Sequence, residues 1–88
     1  MKLTIKKQTD EEVEVQTPAF YKSTEDEYFK ITDTHIFVIR DMAILKLSVK
    51  HSANVVHGAI KETQIDETEF INRFNQVVHS ISKEITLW

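Results

Sequence analysis

Cysteine is absent from this sequence, and glycine and proline occur once each, as Gly58 and Pro18. The first absence excludes disulfides, thiolate catalysis, iron–sulfur clusters and cysteine-ligated zinc together. The single glycine leaves little scope for a phosphate-cradling loop or for the strained turn that presents a nucleophilic serine. Ser48, Ser52, Ser80 and Ser82 accordingly stand in no such motif. Cations are in deficit: 11 Lys and Arg against 14 Asp and Glu give a formal charge of −3, which disfavours a phosphate backbone as partner. No apolar stretch comes near the roughly 18 residues that span a bilayer. Met1–Lys7 has no apolar signal core, so a soluble, cytoplasmic protein with no membrane partner is expected.

What is present is ordinary for a folded chain. The 88 residues are 41% hydrophobic and 28% charged, enough apolar surface for one α+β domain over residues 1–88 and too much for disorder. Without disulfides or a metal, packing alone must hold so small a core.

With so few glycines and prolines, turns are read from Asp, Asn, Ser and Thr. Leu3 and Ile5 alternate with Lys2, Thr4 and Lys6; Val13 and Val15 alternate with Glu12 and Glu14. The polar residues 8–11 between them make a hairpin with a basic strand facing an acidic one. Pro18 ends the second strand, and Phe20–Tyr21 is a short aromatic segment before the polar run Ser23–Glu27. Tyr28–Thr32 and His35–Arg40 read as two further strands.

The segment Asp41–Glu62 admits two readings. As strands, Leu45, Leu47 and Val49 alternate, and Val56, Gly58 and Ile60 form a last strand. As a helix capped by Asp41, Leu45, Val49, Ser52, Val56 and Ala59 recur near a 3.6 period. The helical reading leaves Leu47 on the polar side and puts Asn54 and Gly58 in a helix interior, where both are unfavourable. The strand reading has neither difficulty.

The C-terminal helix, from about Glu67 to Lys83 or Glu84, carries three start signals. Asp66 is an N-cap, Glu69 completes a capping box, and Ile65 can staple onto Phe70. Phe70, Phe74, Val77, Val78, Ile81 and Ile85 form its apolar stripe. Truncating Phe74 in such a stripe is expected to cost about 3–5 kcal/mol. The architecture is therefore five to seven antiparallel strands in a meander over about residues 2–62, with one amphipathic helix over about residues 66–84 packed on one sheet face.

Function is read from what one helix leaves over. In His35–Arg40 both parities are apolar: Ile36 and Val38 on one face, Phe37 and Ile39 on the other. Either the sheet curls over the second set, or Phe37, Ile39 and Ile44 form an interaction face for a protein partner or a second copy. An edge strand is a further route to a partner.

The alternative is single-stranded nucleic acid. Aromatic and basic residues interleave as Tyr21, Lys22, Tyr28, Lys30, Phe37 and Arg40, the composition of a stacking face. Against it stand Glu25, Asp26 and Glu27 and the absence of an RNP consensus. The four histidines, His35, His51, His57 and His79, show no ligand spacing and read as surface or strand-edge residues. No metal or cofactor is expected. The acidic clusters Asp10–Glu12 and Glu25–Glu27 lie in turns, where neighbouring carboxylates are solubilising rather than catalytic. Leu87 and Trp88 follow the helix, with Trp88 a candidate anchor or core cover. An enzyme, a small hydrolase or metal protein, is the more remote reading.

The chain order also carries a resemblance. A Lys-rich strand and an acidic Val strand precede Thr17-Pro18-Ala19-Phe20-Tyr21-Lys22-Ser23, Tyr28-Phe29-Lys30-Ile31, and Asp66-Glu67-Thr68-Glu69-Phe70 at a helix start. This layout resembles small uncharacterised proteins of bacteriophages and mobile elements of gut Bacteroidetes. The resemblance implies no activity, cofactor or catalytic residue. It implies an accessory protein of a kind that often binds host factors or has no assigned role.

Overall fold

A computed structural model describes residues 2–6 and 12–86. The fold is α+β. A two-stranded sheet pairs β1 (Lys2–Lys6) with β2 (Glu12–Gln16). A five-stranded antiparallel sheet is built from β3 (Ala19–Lys22), β4 (Tyr28–Ile31), β5 (His35–Arg40), β6 (Ala43–Ser48) and β7 (Thr63–Gln64), in the order β6-β5-β4-β3-β7. A 3-10 turn (Val49–His51) and helix α1 (Ala53–Ala59) follow β6, and α2 (Glu67–Thr86) closes the chain.

The hairpin register follows the alternation, with Leu3 opposite Val15 and Ile5 opposite Val13. Its charge match is diagonal: Lys2 Nζ lies 3.4 Å from Glu14 Oε2. The turn residues 8–11, and Leu87 and Trp88, fall outside the described residues. Pro18 does end β2; its bond to Thr17 is cis, and the chain then enters the larger sheet at Ala19. The Phe20–Tyr21 segment is a full strand of that sheet, flanked by β4 and β7.

β3 to β6 form a meander of consecutive hairpins. Ser23 organises the first turn: its Oγ accepts from the N–H groups of Glu25 and Glu27. Thr32 does the same in the second, accepting from Thr34 and His35. The third is a two-residue loop, Asp41–Met42, between the paired Arg40 and Ala43. Asp41 there takes φ 51°, the left-handed conformation that two-residue hairpin loops require and that Asp tolerates.

The segment Asp41–Glu62 is divided between the two readings. Its first part is strand β6. Val56, Gly58 and Ile60, expected as a last strand, instead belong to α1 and the turn that ends it. The reason is the second sheet face. Phe29, Ile31, Ile36 and Val38 line that face and need cover, and Val49, Val56 and Ala59, at helical spacing, supply it together with Val15 of the hairpin. β7 was not expected at all. Its Thr63 and Gln64 are exposed and polar; they pair with Lys22 and Tyr21 of β3, and Ile65 N donates to Phe20 O beside them.

α2 covers the opposite face. Phe20, Ile39, Phe70 and Val77 are buried there, with Tyr28, Phe37, Ile44, Ile65, Phe74 and Ile81 partly buried around them. Its start is as read: Asp66 Oδ1 accepts from Glu69 N at 2.8 Å, and Ile65 packs in the same cluster as Phe70. The stripe is narrower than expected, since Val78 is exposed. Each full burial of such side chains contributes about 1.5–3 kcal/mol.

Candidate interaction site

The apolar set read as a free sheet face lies beneath α2. Ile39 is fully buried, at 0% exposure, and Phe37 and Ile44 are half-buried in the same cluster. Phe37, Ile39 and Ile44 therefore do not form an open interaction face. Two helices cover the two faces of β5: α1 takes the side of Ile36 and Val38, and α2 the side of Phe37 and Ile39. The single-helix premise failed because α1 was read as a strand.

The candidate nucleic-acid residues divide between the faces. Strand register places Lys22, Tyr28, Lys30 and Phe37 on the α2 side. Tyr21 packs on the other core, and Arg40, on that side by parity, pairs with Glu27 at the exposed end of its strand. Tyr28 is engaged by cations of the fold itself, with Lys22 Nζ 5.3 Å and Arg73 Cζ 5.9 Å from its ring centre. Its neighbour Tyr28, and after it Asp26 and Glu69, hold the Lys22 ammonium above the ordinary lysine value of 10.5. Asp26 Oδ1 lies 3.7 Å from that ammonium. The acidic Glu25–Glu27 run thus serves the fold through Asp26 and Glu27.

The histidines do not converge. His35 is half-exposed on β5 and hydrogen-bonded to Thr34, and His51 and His79 are exposed. His57 departs from the expected surface position: it is 3% exposed in α1, and its Nε2 has no hydrogen-bond partner. Among the described residues no three His, Asp or Glu side chains come together as metal ligands would.

Among the described residues, three accessible surfaces bear on binding. An open cleft of about 800 Å³ at the start of α2 is lined by Lys22, Ser23, Thr63, Gln64, Ile65, Asp66 and Glu69, with both signs of charge. A smaller pocket of about 240 Å³ opens between α2 and the sheet, lined by Lys30, Phe37, Phe70, Ile71 and Phe74. The third is the outer edge of β6. Because Arg40 and Ala43 close a two-residue loop, they are a hydrogen-bonded pair, and bonded pairs alternate up the ladder. Val49 N, donating to Thr34 O, keeps that alternation. The N–H and C=O groups of Ile44, Lys46 and Ser48 consequently point away from β5, on the side where no strand of the described residues follows. Leu45, at 45% exposure, and Met42, at 47%, flank this edge.

The sequence reading missed Ile71 and the β6 edge. Ile71 carried a usable signal, an apolar residue beside the stripe. The edge carried none, since strand order depends on pairings remote in sequence.

No protein-family model, curated protein or solved structure matches the chain. Its function is therefore argued from this geometry. Among the described residues, no helix is long and apolar enough to cross a membrane.

Proposed function

We propose that this protein is a non-enzymatic interaction module that takes up an extended segment of a partner protein along the outer edge of β6. The observation that carries the reading is the contrast between the sheet's two ends. At one end the sheet is blunted by β7, two exposed polar residues long. At the other stands β6, six residues long, with no proline and one charge, Lys46. Proteins that avoid edge contacts shorten, bend or charge their edge strands. An unblunted edge with main-chain donors and acceptors facing outward, beside exposed Leu45 and Met42, suits strand addition.

Single-stranded nucleic acid is the second reading, favoured by one observation: Lys22, Tyr28, Lys30 and Phe37 share a face. It is the weaker, because Tyr28 and Phe37 are packed under α2.

The test uses Ser48→Pro. Ser48 has φ −72°, the value proline requires, and its N–H points outward. The substitution removes an edge donor without breaking the β5 ladder. Tagged wild type and Ser48→Pro, both shown folded by circular dichroism, are used to capture partners from lysate with and without nuclease. Hydrogen exchange is then measured on the complex. A nuclease-resistant partner weakened by Ser48→Pro, with slowed exchange at Ile44, Lys46 and Ser48, supports strand addition. Equal capture with no slowing at those amides overturns it, and nuclease-sensitive capture transfers support to the second reading.

A further inference from the structure

A second surface, separate from the β6 edge, carries its own argument. Strand register aligns Phe20, Lys30, Phe37 and Lys46 in one row across β3, β4, β5 and β6 on the α2 side of the sheet. Aromatic rings and lysines alternate along that row. The described acids that form ion pairs are engaged elsewhere: Glu14 with Lys2, Asp26 with Lys22, Glu27 with Arg40. The Lys30 Nζ lies 5.8 Å from the centre of the Phe20 ring, Lys46 stands exposed, and among the described residues neither lysine forms an ion pair.

Beside this row lies the pocket formed by Phe37, Phe70, Ile71 and Phe74. Ile71 is 42% exposed, and exposed Val78 lies two helical turns further along the same flank of α2. The result is an apolar trough with a cation on either side of its Phe37 floor. Its volume, about 240 Å³, is below the roughly 300 Å³ at which small-molecule and cofactor sites begin. It suits one inserted side chain.

We propose that this groove binds an acidic segment of a partner protein, with one apolar side chain seated between Phe37, Ile71 and Phe74 and carboxylates on either side meeting Lys30 and Lys46. The lysines stand two strands apart, about 10 Å, and their flexible side chains reach carboxylates about 13 Å apart, the span from the first to the fifth residue of an extended chain. Because only alternate residues of an extended chain share a face, the segment is of the form acid, any residue, apolar, any residue, acid. The two cations of the row, Lys30 and Lys46, supply the local charge complementarity for an acidic segment, and the Phe37 ring, half-buried beside His35 and α2, disfavours the base stacking that nucleic acid needs. Glu67, the acid on this flank of α2, lies one turn before Ile71, so the segment's acidic ends belong over the sheet row.

The experiment is fluorescence anisotropy with labelled heptapeptides: an acidic probe with a Glu-Gly-Leu-Gly-Glu centre, a basic probe with Lys-Gly-Leu-Gly-Lys, and an acidic probe with Ala in place of Leu. A labelled oligo-dT is titrated in parallel. The acidic apolar probe should bind more tightly than each of the others. Lys30→Gln and Lys46→Gln should each weaken it about twofold to fivefold, as exposed ion pairs do, and Ile71→Asp about tenfold or more. All three substitutions are at accessible positions, and unchanged melts verify the fold. Amide shifts should centre on Phe37, Ile71 and Phe74, and Ser48→Pro should leave the affinity unchanged, which separates this site from the β6 edge. Absence of binding, equal binding of the basic probe, indifference to both lysine substitutions, or tighter binding of oligo-dT overturns the proposal.

Discussion

Arg73 of α2 donates from Nη2 to the main-chain oxygen of Asp41 across 3.4 Å, fastening the helix to the β5–β6 turn. The same guanidinium lies over the Tyr28 ring and donates from Nη1 to Gln76, while its Nε is buried without a partner. The turn so held carries Met42 and leads into β6, so this contact orders one end of the proposed binding edge.

Arg73→Ala should lower stability by about 1–2 kcal/mol, the sum expected of a partly buried cation–π contact and a long hydrogen bond. Urea denaturation measures it. In a double-mutant cycle with Tyr28→Leu the coupling should be about 0.5–1 kcal/mol; additive effects would remove the ring contact from the account.

Within α2, burial sets Phe70 above Phe74. Phe70 is buried, with its ring 5.6 Å from that of Phe20, whereas Phe74 is only partly buried. Phe70→Ala should cost about 3–5 kcal/mol, and Phe74→Ala roughly half as much. The total stability of a chain this long is about 4–13 kcal/mol, so Phe70→Ala should remove a large part of it and lower the thermal midpoint by about 12–40 °C. Equal losses in denaturant melts would contradict the packing described.

His57 presents a buried polar atom with nothing to bond. Replacing it with leucine, of similar volume, removes an unsatisfied group and should raise stability by about 1 kcal/mol. His57→Ala removes the same atom but opens a cavity, and should lower it by about 2 kcal/mol. A loss in His57→Leu would show that the ring makes a contact this argument omits.

Gly58 lies inside α1 at an exposed position, and a Cβ built there meets nothing within 4 Å. Gly58→Ala should therefore stabilise the protein by about 0.5–1 kcal/mol through helix propensity alone. The check is a higher urea midpoint with unchanged slope.

The raised Lys22 ammonium gives a pH dependence of known sign. Its folded value lies above the unfolded one, so its contribution is complete below about pH 10 and is lost as pH rises through the folded value. Melting temperatures of wild type and Lys22→Gln should keep a constant separation up to that point and converge above it. A gap that widens in alkali would assign the wrong sign to the Tyr28 and Asp26 contacts.

How much of this was legible beforehand can be read from particular residues. The start of α2 was, because Ile65, Asp66, Glu69 and Phe70 act on one another within a single turn. The hairpin register was too, since alternation of Leu3, Ile5, Val13 and Val15 permits one pairing that gathers them on one face. α1 was half legible: Val49, Val56 and Ala59 have helical spacing, but Leu47, which belongs to the strand before them, made the whole segment look extended. The site was legible only in its parts, as Phe37, Lys30 and a suspected edge.

Local chemistry thus sufficed for the elements whose signals lie a few residues apart: five strand segments, their turns, and the capped helix. Tertiary structure decided everything that depends on which surfaces meet. It put α2 over Phe37 and Ile39 and gave Ile36 and Val38 to α1 and the hairpin. It left β6 rather than β3 at the open edge, and it brought Lys30, Phe37 and Lys46 into one row beside Ile71. Burial of apolar faces is non-directional and is satisfied by any element with a matching face. The choice among covers is therefore made by the whole chain at once, and the candidate sites are what that choice leaves uncovered.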